Sequence, residues 1–405
     1  MVEARRGGWF QFGFRFEAAP AARMEPEPVS ESAPVRAVRP SWSFAGIVAP
    51  AAVGSDPLQQ QQLLLQGAVQ GALPPDCLDL LPSETQVLLL RQTALEAWGV
   101  DSVPKLEGEP AWRRELLPEE VAATELPLVP GGYVAPHPPF FTPLPSALQA
   151  RKLALGHKHV VLLSVGGALF TWGCGRHGQL GHGGLESLEE PRLLEALQGL
   201  PMGVVAAGGW HSAAVSEVGD LYIWGWNVSG QLALPSKAVA ESRATTTTST
   251  AAGRGAPEPG VAGDAAPESL PAAAGAFIAI QAFPALLDMP HMAEVSKVSC
   301  GSRHTAALTR AGHLYTWGWG KYGQLGHRDS ASSDRARRVQ YFEERSLRVV
   351  DVVCGPWSTY ACAVGGGGAG HDGRPGAEEQ QQQQQAVVGA EDASSCAPGA
   401  GAWLR

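Results

Sequence analysis

One stretch, "LYTWGWGKYGQLGH" from Leu314 to His327, recurs along the chain with its internal spacing intact. "LFTWGCGRHGQLGH" spans Leu169 to His182, and "LYIWGWNVSGQLAL" spans Leu221 to Leu234. The Trp-Gly pairs begin at Trp172, Trp224 and Trp317, and the Gly-Gln-Leu triplets at Gly178, Gly230 and Gly323. Both series step by 52 and then by 93 residues. His159, His211 and His304 follow the same two steps, each thirteen residues before its tryptophan. Three markers in one register define an internal repeat, and a repeat of this length folds as stacked copies of one supersecondary unit. A fourth copy opens at "VVCGPWSTYACAV": Gly355 lies 54 residues after Gly301, Ser358 replaces the histidine, and no tryptophan follows.

Each unit reads as a pair of hairpins. In "HTAALTRAGHLYTWG" two apolar strands flank Gly312, placed where a short loop needs φ > 0; Gly166 or Gly167 and Gly219 serve the other copies. The strands are apolar or small on both faces, as expected for sheets stacked against neighbours. The tryptophan then supplies bulk between adjacent sheets, and the glycines let the backbone turn beside it. The fold class that follows is all-β, a β-propeller-like ring built from repeats of about 52 residues. Near the N-terminus "GGWFQFGF" reads as a worn Trp-Gly half, and "VRPSWSFAGIV" resembles the fourth copy, with Trp42 against Trp357. Strands from both termini are therefore expected to complete one blade.

Boundaries follow from composition. Residues 1–149 hold divergent N-terminal blades or an elaboration, and within them "QQQQLLLQ" and "ETQVLLLRQTALEAWGV" read as partly helical. Residues 150–236 carry repeats 1 and 2, and 277–364 carry repeats 3 and 4. Between them, 237–276 is Ala/Thr/Gly/Pro-rich and explains the long step as about 52 plus about 41; it is expected to be a disordered surface loop, like the Gly/Gln-rich tail 365–405. A net charge of −9 argues against naked nucleic acid as the main ligand. The six cysteines include no C-x-x-C pair, so metal-ligand spacing is missing, and Cys300 and Cys354 read as buried free thiols. With no leader pattern and no long apolar run, the expected setting is cytosol or nucleus, with no membrane contact.

Gly-x-x-His, a glycine hairpin, and Trp-Gly-x-x-x-x-Gly-Gln-Leu-Gly together resemble the regulator of chromosome condensation repeat, across roughly 153–235 and 277–364. WD-repeat propellers run about 40–45 residues with a Trp-Asp ending, and no Trp-Asp pair occurs here. The tandem "GRHGQLGH" and "AAGGWHS", the insertion before "FPALLD" and the early stop are most similar to small animal members of the family. The resemblance implies a β-propeller, usually of seven blades, and a chromatin-associated or cytoskeletal adaptor. For those small members it implies partnership with a Jumonji-C histone lysine demethylase or hydroxylase and with histones. Effects on histone methylation and chromosome segregation, in the nucleus with some protein in the cytoplasm, follow from the same resemblance. The founding member exchanges guanine nucleotide on a small GTPase; no residue here carries that activity over, and exchange factor or cytoskeletal scaffold stand as the alternatives. The sequence departs from the pattern at Leu232-Ala233-Leu234 and in the truncated fourth copy.

No catalytic, cofactor or metal residue is assigned. His159, His211 and His304 occupy one position in three blades, too far apart for a single ion with imidazole bonds near 2 Å, so each is expected to make a structural hydrogen bond within its blade. His182 and His327 receive the same reading. No strained nucleophile motif or phosphate loop appears. The residue before the repeated histidine or serine, by contrast, changes chemistry in every copy: Lys158, Trp210, Arg303 and Trp357, with Trp42 as a fifth. On one face of a propeller such side chains are candidate partner-binding anchors; the competing expectation wedges the tryptophans between blades and leaves the cations solvated. "DRARR", Asp334 to Arg338, is a second candidate, for an acidic partner or phosphate, and "YFEERSLR" reads as a short rim helix.

Overall fold

The structure is a computed structural model that describes residues 8–15, 21–30, 35–50, 61–251 and 276–365. They form seven antiparallel sheets arranged as a β-propeller. In chain order, blade 1 comprises strands Ala37–Pro40, Phe44–Pro50, Gln61–Gly67 and Gly71–Ala72, and blade 2 comprises Cys77–Pro82, Gln86–Arg91, Ala94–Gly99 and Trp112–Glu115. Blade 3 has three strands, Leu128–Val129, Gly132–Val134 and Phe141–Pro143. Blades 4, 5 and 6 are the clear repeats: Ala150–Leu155 to Leu188–Leu193, Met202–Ala207 to Ile280–Leu287, and Val295–Cys300 to Ser333–Arg338. Blade 7 joins both ends of the chain: Leu347–Cys354 and Ser358–Gly365 pair with Gly8–Arg15 and Ala21–Pro28. Phe12-Gly13 stands there in the Trp-Gly place, because Gly13 pairs with Ser358 as Gly318 pairs with His304.

No single core exists. The buried apolar side chains among the described residues fall into seven clusters, one for each seam between neighbouring blades, which is what a closed ring requires. Trp172 fills the seam between blades 3 and 4, Trp224 that between 4 and 5, and Trp317 that between 5 and 6. Trp224 and Trp317 are fully buried, so each contributes about 2–3 kcal/mol of burial. The hairpin glycines Gly167, Gly219 and Gly312 all take positive φ. At the 7–1 seam Trp9, Val38, Ile47 and Tyr360 hold the two ends of the chain together.

The two stretches read as partly helical are strands. "QQLLLQG" is a strand of blade 1, and "ETQVLLLRQTALEAWGV" contains two strands of blade 2. Val87, Leu88, Leu89 and Leu90 are all buried, half of them against blade 1 and half against blade 3. Burial on both faces overrides the helical preference of a Leu/Gln/Glu-rich run. Trp98-Gly99 is the worn repeat marker in that run, with Gln86 opposite Gly99 in the histidine's place. Buried Glu96 anchors the blade by accepting from Trp98 Nε1 at 2.9 Å and pairing with Arg91 at 2.9 Å and Arg113 at 3.1 Å.

The insertion also differs from expectation. Its first part, Lys237–Ala251, is an α-helix, held where Arg243 pairs with Asp334 at 2.6 Å and where Val239 is buried. Residues 252–275 and 366–405, and with them most of the loop and tail expectations, lie outside the described residues. The expected rim helix forms at Gln340–Glu344.

The repeated histidines are structural, but their bonds run between blades rather than within them. His159 Nε2 meets Ser212 Oγ at 2.8 Å, His211 Nε2 meets Thr305 Oγ1 at 2.9 Å, and His304 Nε2 meets Thr359 Oγ1 at 3.0 Å. Each hydroxyl in turn donates to the glutamine carbonyl of a Gly-Gln-Leu loop in the histidine's own blade: Gln179 at 2.8 Å, Gln231 at 2.7 Å and Gln324 at 2.8 Å. The next blade's Trp224 and Trp317 indoles donate to the Gln179 and Gln231 carbonyls, both at 2.9 Å. A hydroxyl has one proton, so the histidine must donate from Nε2. Burial pushes His159 and His211 down to about 3 and His304 to about 4. The preceding glycine is explained by the ring it faces: a Cβ on Gly301 would lie 2.2 Å from His304 Cε1, and one on Gly156 equally close to His159 Cε1. His182 and His327 do bond within their blades, to Thr171 Oγ1 at 2.8 Å and Thr316 Oγ1 at 3.0 Å.

Candidate interaction face

In a four-stranded meander the loops between strands 1 and 2 and between strands 3 and 4 emerge at the same end. One face of the ring therefore carries the residue before each repeated histidine together with the residues just after each Trp-Gly pair. Lys158 is exposed, and Trp210, Arg303 and Trp357 are half-buried. None of the tryptophans at this position is wedged into the apolar seams, which the Trp-Gly tryptophans occupy instead.

Three of the four anchors, Trp210, Arg303 and Trp357, pack into two groups of side chains. Trp210 packs on His157 at 5.1 Å and on His177 at 5.0 Å, and His177 reaches Trp226 at 5.5 Å. The Arg303 guanidinium lies 5.0 Å from the centre of Trp226, a cation–π contact across the seam from blade 6 to blade 5. Trp357 packs edge-on against Trp319 at 4.8 Å and Trp42 at 5.3 Å, and Tyr322 bridges Trp319 at 5.0 Å and Phe14 at 5.1 Å. The two groups follow one another around the face as an aromatic arc, the first from blade 4 to blade 6 and the second from blade 6 to blade 1, with Trp42 42% and Tyr322 36% exposed. Lys158, Arg176, Arg303 and Lys321 accompany it.

Sequence reasoning missed Trp226, Trp319, Tyr322 and His177. The signal was present: the position after Trp-Gly reads Cys174, Trp226 and Trp319, and the one before Gly-Gln-Leu reads His177, Ser229 and Tyr322. Both vary in chemistry inside an otherwise constant motif. Trp42 was misplaced by one residue. Phe44 pairs with Gly67 as Ser358 pairs with Gly13, so Ser43 holds the Trp357 position and Trp42 reaches the arc from one place earlier.

The "DRARR" segment does not present a free cationic patch. Asp334 is buried, capping the Ser236 amide at 3.1 Å and pairing with Arg243. Arg337 and Arg338 pair with Asp329 at 3.4 Å and Glu343 at 3.2 Å. The described residues contain no group of three or more His, Cys, Asp or Glu side chains placed to hold a metal ion. A shallow pocket of about 80 Å³ opens beside Trp42 and Phe14 at the seam where the chain ends meet.

Comparison with known proteins places this geometry. Family models described as the regulator of chromosome condensation (RCC1) repeat match residues 166–215 and 311–362, and a second model of the same description matches 205–231 and 295–324. RCC1 domain-containing protein 1 from Homo sapiens is 46% identical over 390 residues, covering 90% of this chain and 99% of the relative. The Mus musculus protein of the same description is 47% identical over 393 residues, with the same coverage. Among solved structures, Prp20p from Saccharomyces cerevisiae, studied for its binding to Gsp1p and histones, superposes with a TM-score of 0.53 at 15% identity, over 95% of each chain. Repeat register, seven-bladed closure and identity over nearly the whole relative agree, and this chain belongs to the RCC1 repeat family.

Proposed function

We propose that the chain is a non-enzymatic adaptor whose aromatic and cationic face holds protein partners. Its partner is a Jumonji-C histone lysine demethylase or hydroxylase, with histones, at chromatin in the nucleus, where it bears on histone methylation and chromosome segregation. The supporting observation is the arc itself. Trp42, Trp319, Tyr322 and Trp357 stand together at the surface, where tryptophan, tyrosine and arginine make strong interface anchors. The buried histidines and hydroxyls are spent on holding blades together, leaving the loops to carry binding. The partner's identity and the chromatin setting rest on the family resemblance.

The test is a paired pull-down from nuclear extract read by mass spectrometry. One bait is the full chain; the other carries Lys158→Ala, Trp210→Ala, Arg303→Ala and Trp357→Ala, with folding checked first by circular dichroism. A Jumonji-C enzyme retained by the first bait and lost from the second is the expected result. Unchanged partners on both baits would place binding elsewhere, and enrichment of a small GTPase alone would replace the reading with nucleotide exchange.

A further inference from the structure

We infer that this face accepts an extended acidic segment of a partner protein, its carboxylates on Lys158, Arg176, Arg303 and Lys321 and its apolar side chains on the aromatic arc. This deepens the adaptor reading and rests on it. The argument is one of charge complementarity. Several other cations are met by the chain's own carboxylates: Arg39 by Asp79 at 3.0 Å, Arg310 by Glu294 at 2.6 Å, Arg328 by Glu25 at 2.6 Å, and Lys297 by Asp351. The four cations of the face have no such partner among the described residues. Glu186, in the same loop as Arg176, forms no ion pair with it. In a chain of net charge −9, carboxylates are plentiful, yet none closes on this group. Arg303 is also held in place by its cation–π contact with Trp226, and a guanidinium can take a carboxylate through two N–H groups.

An extended segment fits better than a compact domain edge. The cations come from the loops of blades 4 and 6, with Trp210 and Trp226 of blade 5 between them, so charged and aromatic subsites alternate along the arc. A peptide with acidic residues spaced around apolar ones matches that alternation. Nucleic acid fits less well. Trp357 and Trp319 pack edge-on against each other at 69°, and Trp42 packs on Trp357 at 86°, so these rings contact one another instead of standing as open platforms for bases. Four cations also make a small phosphate footprint on an acidic protein.

The test uses the full chain and fluorescence anisotropy with three probes: a short labelled peptide of Asp and Glu interspersed with phenylalanine, its Asn/Gln counterpart, and a single-stranded oligothymidylate of similar length. The acidic peptide is expected to bind about tenfold or more tighter than the Asn/Gln peptide, and to weaken with added salt. Reversal of Lys158, Arg176, Arg303 and Lys321 to Glu removes that preference, and neutralisation to Gln reduces it; both sets of changes lie at the surface, and circular dichroism checks the fold. Equal affinity for the two peptides overturns the inference, as does tighter binding of the oligothymidylate, which would make the face a nucleic-acid site. The nuclear pull-down repeated with the charge-reversed chain separates the two readings. Partners kept by that variant but lost on Trp210→Ala and Trp357→Ala would sink the acidic segment and leave the adaptor standing.

Discussion

Replacing Thr305 by valine tests the seam between blades 5 and 6 at its most connected atom. Thr305 Oγ1 accepts from His211 Nε2 at 2.9 Å and donates to the Gln231 carbonyl at 2.7 Å, and both side chains are fully buried. Valine keeps the shape and removes the hydroxyl. The Gln231 carbonyl retains the Trp317 indole as a donor at 2.9 Å, so the loss falls on the His211 N–H, left buried without an acceptor. An orphaned buried donor costs about 1–3 kcal/mol. With His211→Ala already in place there is no donor to orphan, so Thr305→Val should then cost only a few tenths of that. The assay is urea unfolding of the four proteins of this cycle, followed by tryptophan fluorescence. A coupling of about 1–2 kcal/mol is expected. If the two single costs add to within about 0.5 kcal/mol, the relay is not what joins these blades, and the histidine acts by filling space alone.

Acid should loosen the ring through the same histidines. His159, His211 and His304 have folded values of about 3, 3 and 4, against 6.5 for an ordinary histidine, so the unfolded chain binds more protons between these limits. Their contribution is complete above pH 6.5 and is lost steadily as pH falls towards 4 and 3; a stability–pH titration of His304→Gln should show a slope shallower by about one proton. In blade 5, Ala233 takes φ +54° where the other copies place Gly181 and Gly326, so Ala233→Gly should raise stability by up to about 1 kcal/mol in chemical denaturation. The same blade has Ile223 and Leu234 where its neighbours pair threonine with histidine. Ile223→Thr alone should cost about 1–3 kcal/mol through lost apolar burial, its hydroxyl donating to the Leu232 carbonyl as Thr171 does to Leu180 at 2.7 Å, and adding Leu234→His as a donor to that hydroxyl should recover part of the cost, measured as a double-mutant coupling.

The paired loss at Ile223 and Leu234 shows how much of the chain was legible. Read alone, Leu234 looks like decay of the repeat. Beside Ile223 it is a consistent exchange of a polar bridge for an apolar contact in the seam. The three well-marked blades, their hairpin glycines and the closure by both chain ends were readable because each rests on local spacing. Blades 1 and 2 were not, because their leucine-rich strands become strands only when neighbouring sheets cover both faces; Trp98-Gly99 was the one local mark, and it stood outside the register of the others. Lys158, Trp210, Arg303 and Trp357 could be singled out by their variation within a constant motif, while their companions Trp226, Trp319 and Tyr322 passed unnoticed.

The sequence by itself determined the repeat unit, its turns, and which residue types fill the space between sheets, since these depend on backbone geometry and side-chain volume within about 50 residues. Only the tertiary structure decided what those residues touch. The histidine relay joins His211 to a hydroxyl 94 positions away, and the aromatic arc joins Trp42 to Trp357. Ring closure brings such residues together, and the distance along the chain between them carries no trace of it.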